Sequence, residues 1–156
     1  MPSGMTHDSA ATARAIIDAN SYMVLATADQ AGLPWVSPVW FATEDYRQFF
    51  WVSDPQRRHS WNLAVRPELS IVIFDSTVAP GTGRAVYMSA VADQLTGDDA
   101  ALRVFNARSE ADGLRAWTPD DVQPPGRLRL YRAVASEQWV LGERDDRVPV
   151  SLAPLP

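Results

Sequence analysis

Hydrophobic and polar positions alternate in short runs along most of this chain, a spacing that predicts strands more often than helices. Tyr22 to Ala28 is the first such run, closed by the turn Asp29-Gln30-Ala31-Gly32. Trp35 to Ala42 predicts a second strand with Pro38 inside it. Proline cannot donate to a sheet ladder, so Pro38 marks an edge or a bulge. Gln48 to Ser53 predicts a third strand, reached through the polar turn Thr43-Glu44-Asp45. Ser70 to Asp75 holds the unbroken apolar run Ile71-Val72-Ile73-Phe74, which predicts a strand buried on both faces. After the loop Pro80-Gly81-Thr82-Gly83, Arg84 to Ala92 alternates, with Val86, Met88 and Ala90 on one side. Two closing strands are predicted, Arg127 to Val134 and Glu137 to Leu141.

Helical spacing interrupts this pattern in three places. Asp8 to Ala19 puts Ala13, Ile16 and Ile17 on one face, with Asp8 or Ser9 as its cap. A short helix is predicted from Asp54-Pro55, a good cap followed by a residue suited to the first helical position. It should stop near Arg66, because the residue before Pro67 disfavours helical geometry. Gly97 to Ser109 forms the third, with Thr96 as cap, Asp99 three residues on, and Leu102 and Phe105 on its apolar face. Ala111 to Gly126, interrupted by Pro119, Pro124 and Pro125, reads as irregular. Residues 1–7 read as a flexible start, and residues 148–156 as a loose tail or an arm that reaches a partner. About seven strands with no strand–helix–strand rhythm predict one mostly β domain over residues 1–156, closed as an antiparallel barrel or stacked as a sandwich.

Composition narrows the chemistry. The chain of 156 residues is long enough for one domain with its own core. It has no cysteine, so disulfides, thiolate metal sites and thiol catalysis are excluded together. His7 and His59 are its only histidines, and no metal site is expected. The formal net charge is −5, with no basic stripe of the kind nucleic-acid binding requires. No apolar run approaches the ~20 residues that span a bilayer. The N-terminus also lacks the basic start and long apolar stretch of a secretory signal. The expectation is a soluble, cytoplasmic protein without nucleic-acid or membrane partners. All 14 basic residues are arginine, the side chain suited to planar, bidentate contact with phosphate or carboxylate.

Chemistry concentrates at Ser53-Asp54-Pro55-Gln56-Arg57-Arg58-His59-Ser60. A helix beginning there presents unpaired amides and the positive end of its dipole, and Arg57 and Arg58 add two guanidinium groups suited to a phosphate monoester. The same residues also read as a solvated helix face, and the Asp54 carboxylate competes for the donors. Ser60, His59 and Asp54 sit too close together on one short helix for a nucleophilic triad. Gly81-Thr82-Gly83 lacks the third glycine and the following helix of a dinucleotide fingerprint. Asp98-Asp99 and Asp145-Asp146 read as solvated acidic pairs. No catalytic side chain is expected.

The order of segments from Tyr22 to Asp75 resembles the pyridoxamine 5′-phosphate oxidase-like split-barrel superfamily. The carrying features are Leu25-Ala26-Thr27-Ala28-Asp29, a turn with Gly32 and Pro34, Val36-Ser37-Pro38-Val39-Trp40-Phe41, and Phe49-Phe50-Trp51-Val52-Ser53. Arg57-Arg58, Asn62-Leu63-Ala64-Val65-Arg66-Pro67 and Ile71-Val72-Ile73 complete the series, and Leu128 to Leu141 is similar to the final strands of small members. The resemblance implies a split β-barrel of six to seven antiparallel strands, paired as a homodimer. FMN or a deazaflavin coenzyme would lie at the subunit interface. It implies that Arg57 and Arg58 hold the cofactor phosphate, Arg58 standing where the family usually has lysine. Val36, Ser37, Pro38 and Val39, with Trp51, Val52 and Ser53, would run along the ribityl chain and ring. Trp35 and Trp139 are placed near the same groove. The basic, histidine-containing C-terminal motif of the longer vitamin B6 oxidases has no counterpart here. The expected activity is therefore a flavin- or deazaflavin-dependent oxidoreductase acting on a small-molecule substrate. The alternatives are a non-catalytic, stress-associated cofactor-binding protein and a barrel that has lost its cofactor and binds another ligand.

Overall fold

In the computed structural model, which describes residues 8–152, the alternating runs become one curled antiparallel sheet. Asp8 accepts a hydrogen bond from the Ala11 amide and starts α1, Ser9–Ala19, whose Ala13, Ile16 and Ile17 turn inward. β1 (Tyr22–Ala28), β2 (Pro34–Trp40), β3 (Ala42–Thr43) and β4 (Gln48–Ser53) follow. Then come α2 (Arg58–Val65), β5 (Glu68–Phe74), β6 (Ala85–Leu95), α3 (Asp99–Ala111), β7 (Arg129–Leu141) and β8 (Arg147–Val150).

The strand order β2-β1-β5-β6-β7-β4-β3 explains how the sheet closes. Its two outermost members, β2 and β3, are halves of one segment bent at Phe41, so a single stretch of chain serves both ends of the path. β2 pairs only with β1, and Pro38 therefore sits where a missing amide interrupts no ladder.

Two apolar clusters follow from the period-two alternation of strands. Met23, Leu25, Phe49, Trp51, Ile71, Ile73, Val86 and Met88 fill the barrel interior, with Ile16 and Ile17 of α1 packed against them. On the outer side, Phe50, Leu95 and Leu130 meet Ala101, Leu102 and Phe105 of α3.

Several expectations change in register. α2 begins at Arg58 with Arg57 at its cap position, not at Pro55. Asp54 closes a turn first: its carboxylate accepts from the Gln56 amide and its carbonyl from the Arg57 amide. α3 is capped by Asp98, which accepts from Ala101, not by Thr96. Gly97 adopts φ +67 between the two and ends the preceding strand geometry there. β5 is buried on one face only, because no helix covers its outer side: Ile71 and Ile73 point in, while Phe74 is 47% exposed. The two closing strands are one, β7. The expected break is a bulge, where Ser89 pairs with Glu137 and Ala90 with Ala135, and the Ser136 hydroxyl donates to the Ser89 carbonyl. The expected C-terminal tail folds back in part: Val148 to Val150 lie in β8, paired with β7, and Leu152 is buried. Residues 1–7 and 153–156 of the predicted start and tail lie outside the described residues.

Candidate functional site

β4 ends at Ser53, directly opposite Arg129 at the start of β7, and this pairing brings distant arginines to the entrance of α2. Arg127 Nη1 lies 3.2 Å from Asp54 Oδ2, and Arg57 Nη2 lies 4.0 Å from the same oxygen. Arg129 donates to the Gly126 and Leu128 carbonyls. Arg58 is held differently. Its guanidinium carbon is 4.4 Å from the centre of the Trp35 ring, and among the described residues its side chain donates no hydrogen bond and joins no ion pair. Arg57 and Arg127 thus share one carboxylate, Asp54, with Arg129 at the adjoining strand start and Arg58 at the first position of α2.

The corner is tied down from below. The Ser60 hydroxyl donates to the Asp54 carbonyl, and Asn62 Nδ2 donates to Thr27 Oγ1 at 3.0 Å. Thr27 Oγ1 in turn donates to the Trp35 carbonyl at 3.4 Å, so α2, β1 and β2 are linked at one end of the barrel. His59 Nε2 lies 3.0 Å from Ser53 Oγ. Burial, and then the Arg57 charge, hold the His59 imidazole below its ordinary pKa. The ring is therefore neutral near neutral pH.

The sequence-predicted residues divide between four surroundings. Ser53, Arg57 and Arg58 meet at the corner, joined by Trp35. Val36 and Pro38 are exposed on the outer face of the edge strand next to it, Val36 at 65%. Ser37, opposite Leu25, and Val39, opposite Met23, turn toward the barrel interior, and Val39 is buried. The Trp51 indole is wholly buried and stacked on Tyr131, with ring centres 5.5 Å apart. Alternation along a strand forces this split, and it leaves Val39 and Trp51 only main-chain groups to offer a ligand. Val52 packs toward α3. Asp54 does compete for the donors as expected, pairing with Arg57 and with Arg127, a neighbour that the sequence reading did not place here. The Arg127-Leu128-Arg129 alternation was visible, but not the strand it would meet.

Beside the corner lies an uncovered apolar face. Strand register aligns Pro38, Val24, Val72, Tyr87, Trp139 and Pro149 across six strands. At ~4.8 Å per strand this row is about 24 Å long. Val36 beside Ala26 extends it on one side, and Tyr22 on the other, where Trp40 turns under α3. The Arg147 guanidinium carbon lies 4.0 Å from the centre of the Tyr87 ring.

Among the described residues there is no cluster of potential metal ligands, and no helix is long and apolar enough to cross a membrane. No curated protein matches the chain. Solved structures that share its fold include a heme-binding protein from Mycobacterium smegmatis, with 21% identity and a TM-score of 0.70 over 92% of this chain and 57% of that one. HutZ, a heme storage protein from Vibrio cholerae, has 24% identity and a TM-score of 0.64 over 81% of this chain and 90% of that one. ChuZ from Campylobacter jejuni has 11% identity and a TM-score of 0.72 over 88% of this chain and 57% of that one. At these identities the likeness is one of fold. The family model for pyridoxamine 5′-phosphate oxidase matches residues 9–139, most of the barrel and its helices, and the chain belongs to that family.

Proposed function

We propose that this protein binds a flavin-type cofactor, FMN or a deazaflavin, with its phosphate at Arg57 and Arg58, and acts as an oxidoreductase on a small organic substrate. The observation that carries the reading is Arg58, an exposed guanidinium whose side-chain donors are free among the described residues, stacked on Trp35 next to the exposed Val36 of the edge strand. A phosphate accepts charge-assisted hydrogen bonds in the guanidinium plane, and the first amides of α2 reinforce it. Val36 and Pro38 offer the adjoining surface to a flat ring.

When bound, such a cofactor supplies the hydride or electron transfer, so no protein nucleophile is required. The chain's own contribution is to hold the anionic end, present an apolar surface and exclude water. Covering the outer face requires a second copy in this reading, which makes the working form a homodimer with cofactor at the subunit interface. The membership of the chain in the pyridoxamine 5′-phosphate oxidase family supports the cofactor class.

Heme is the second reading, because two relatives of the same fold are described as heme-binding and heme storage proteins. Against it, the imidazole of His59 already lies 3.0 Å from Ser53 through Nε2.

Absorbance and mass spectrometry of the purified protein test the reading. A flavin or deazaflavin spectrum supports it, and a Soret band overturns it in favour of heme. Arg57→Ala/Arg58→Ala should weaken binding of FMN or its deazaflavin counterpart by about 3 kcal/mol, on the order of a hundredfold, as read by fluorescence titration. Unchanged affinity removes the arginines from the site. Reoxidation of the reduced cofactor by candidate acceptors separates an enzyme from a cofactor-binding protein without turnover.

A further inference from the structure

We infer that Trp35 is a positioning residue that aims Arg58 at the phosphate, and that it thereby sets the preference of the site for a phosphorylated over an unphosphorylated chromophore. The inference rests on the proposed cofactor reading.

Of the other three arginines at the corner, Arg127 and Arg129 are engaged through their N–H groups, while Arg57 is within ion-pair distance of Asp54 without a hydrogen bond to it. Arg57 and Arg127 face Asp54, and Arg129 donates to two carbonyls. Arg58 is held by its face, over the Trp35 ring at 4.4 Å. This difference matters chemically. The donors of a guanidinium lie in its plane, so stacking one face on an aromatic ring restrains the group without using any donor. An exposed arginine otherwise spends considerable side-chain entropy to adopt one geometry on binding. Restraint by Trp35 removes part of that cost in advance.

The main chain that carries the ring is tied to α2. Trp35 is 42% exposed, yet its carbonyl accepts from Thr27 Oγ1, which accepts from Asn62 of α2. Trp35 and Arg58 are therefore linked twice, through the ring and through the buried Thr27–Asn62 pair. The pairing also gives arginine a physical advantage over lysine at position 58. A lysine ammonium over the ring would lack the planar, in-plane donors that make stacking and phosphate contact compatible.

The test measures affinity for FMN and for riboflavin, and for a deazaflavin with and without its phosphate, in wild type, Trp35→Ala, Trp35→Phe, Arg58→Lys, Arg58→Ala and the double variant Trp35→Ala/Arg58→Ala. Trp35→Ala should weaken binding of the phosphorylated chromophore about fivefold to tenfold while changing the unphosphorylated one less than about twofold. Trp35→Phe should retain most of the preference, and Trp35→Ala should add little once Arg58 is alanine. An equal loss for both chromophores makes Trp35 a general packing or ring contact and overturns the inference. No loss for either does the same. If Arg58→Ala weakens FMN but Trp35→Ala does not, only the positioning role falls. If the wild type binds none of the four, the cofactor reading falls and this inference with it.

Discussion

Beneath α3, the outer side of the sheet carries Phe50, Leu95 and Leu130, all buried, whereas the outer side of β2, β1 and β5 carries Val36, Tyr22 and Phe74 at 65%, 59% and 47% exposure. Both surfaces are apolar and both arise from the same alternation. They differ in what the chain does next. After β6 it turns at Gly97 into α3 and covers the first surface, with Phe105 packed edge-on against Trp40 and Trp117. Among the described residues no helix returns over the second, where the six-strand row from Pro38 to Pro149 lies. An intramolecular cap stabilises the monomer. A partly exposed apolar row of this length instead suits association.

Substitutions on the two surfaces should therefore fail in different ways. Phe105→Ala should have the largest effect, lowering unfolding stability by about 3–5 kcal/mol in chemical denaturation, because it opens a cavity under α3. A loss below about 1 kcal/mol would mean that α3 is not needed to cover that face. Val36→Glu/Phe74→Glu should leave the folded monomer's spectrum unchanged but weaken self-association by about 2 kcal/mol or more in sedimentation, since each charge would be buried without a partner. A monomeric wild type at micromolar concentration would break the comparison, leaving the bare face without the second copy assigned to it.

The smallest effect concerns pH. His59 is held below its ordinary pKa, by burial first and by the Arg57 charge second, so the native state prefers the neutral ring. Its contribution to stability is complete above the unfolded value of about 6.5 and is lost as pH falls below it. Thermal unfolding followed from pH 7.5 down to about 5 should show this decline in wild type and less of it in His59→Gln. Parallel profiles would mean that other groups dominate acid sensitivity.

Strand phase was readable wherever polar and apolar residues alternate cleanly. Tyr22–Ala28 and Gln48–Ser53 have the same limits in the sequence reading and in the structure. Phase was not readable in Phe49-Phe50-Trp51, where three aromatics in a row carry no alternation. The fold sends Phe49 and Trp51 inward and Phe50 under α3, and so removes the Trp51 ring from the candidate site. The start of α2 shifted for a similar reason. Asp54 caps a local turn through the Gln56 amide, and its other carboxylate oxygen meets Arg127, 73 residues away, which holds the turn before the helix starts.

The chain alone determined its all-antiparallel character, a position at Pro38 that is either an edge or a bulge, the absence of thiol chemistry and the presence of two adjacent arginines before a short helix. These follow from local rules, in which each residue's effect depends on near neighbours. Tertiary structure decided which arginines share a corner, that Trp35 and not Trp51 stands beside Arg58, and which apolar face is left bare. Those outcomes depend on strand pairings such as Ser53 with Arg129, made between residues far apart in the chain, whose energies no local pattern encodes.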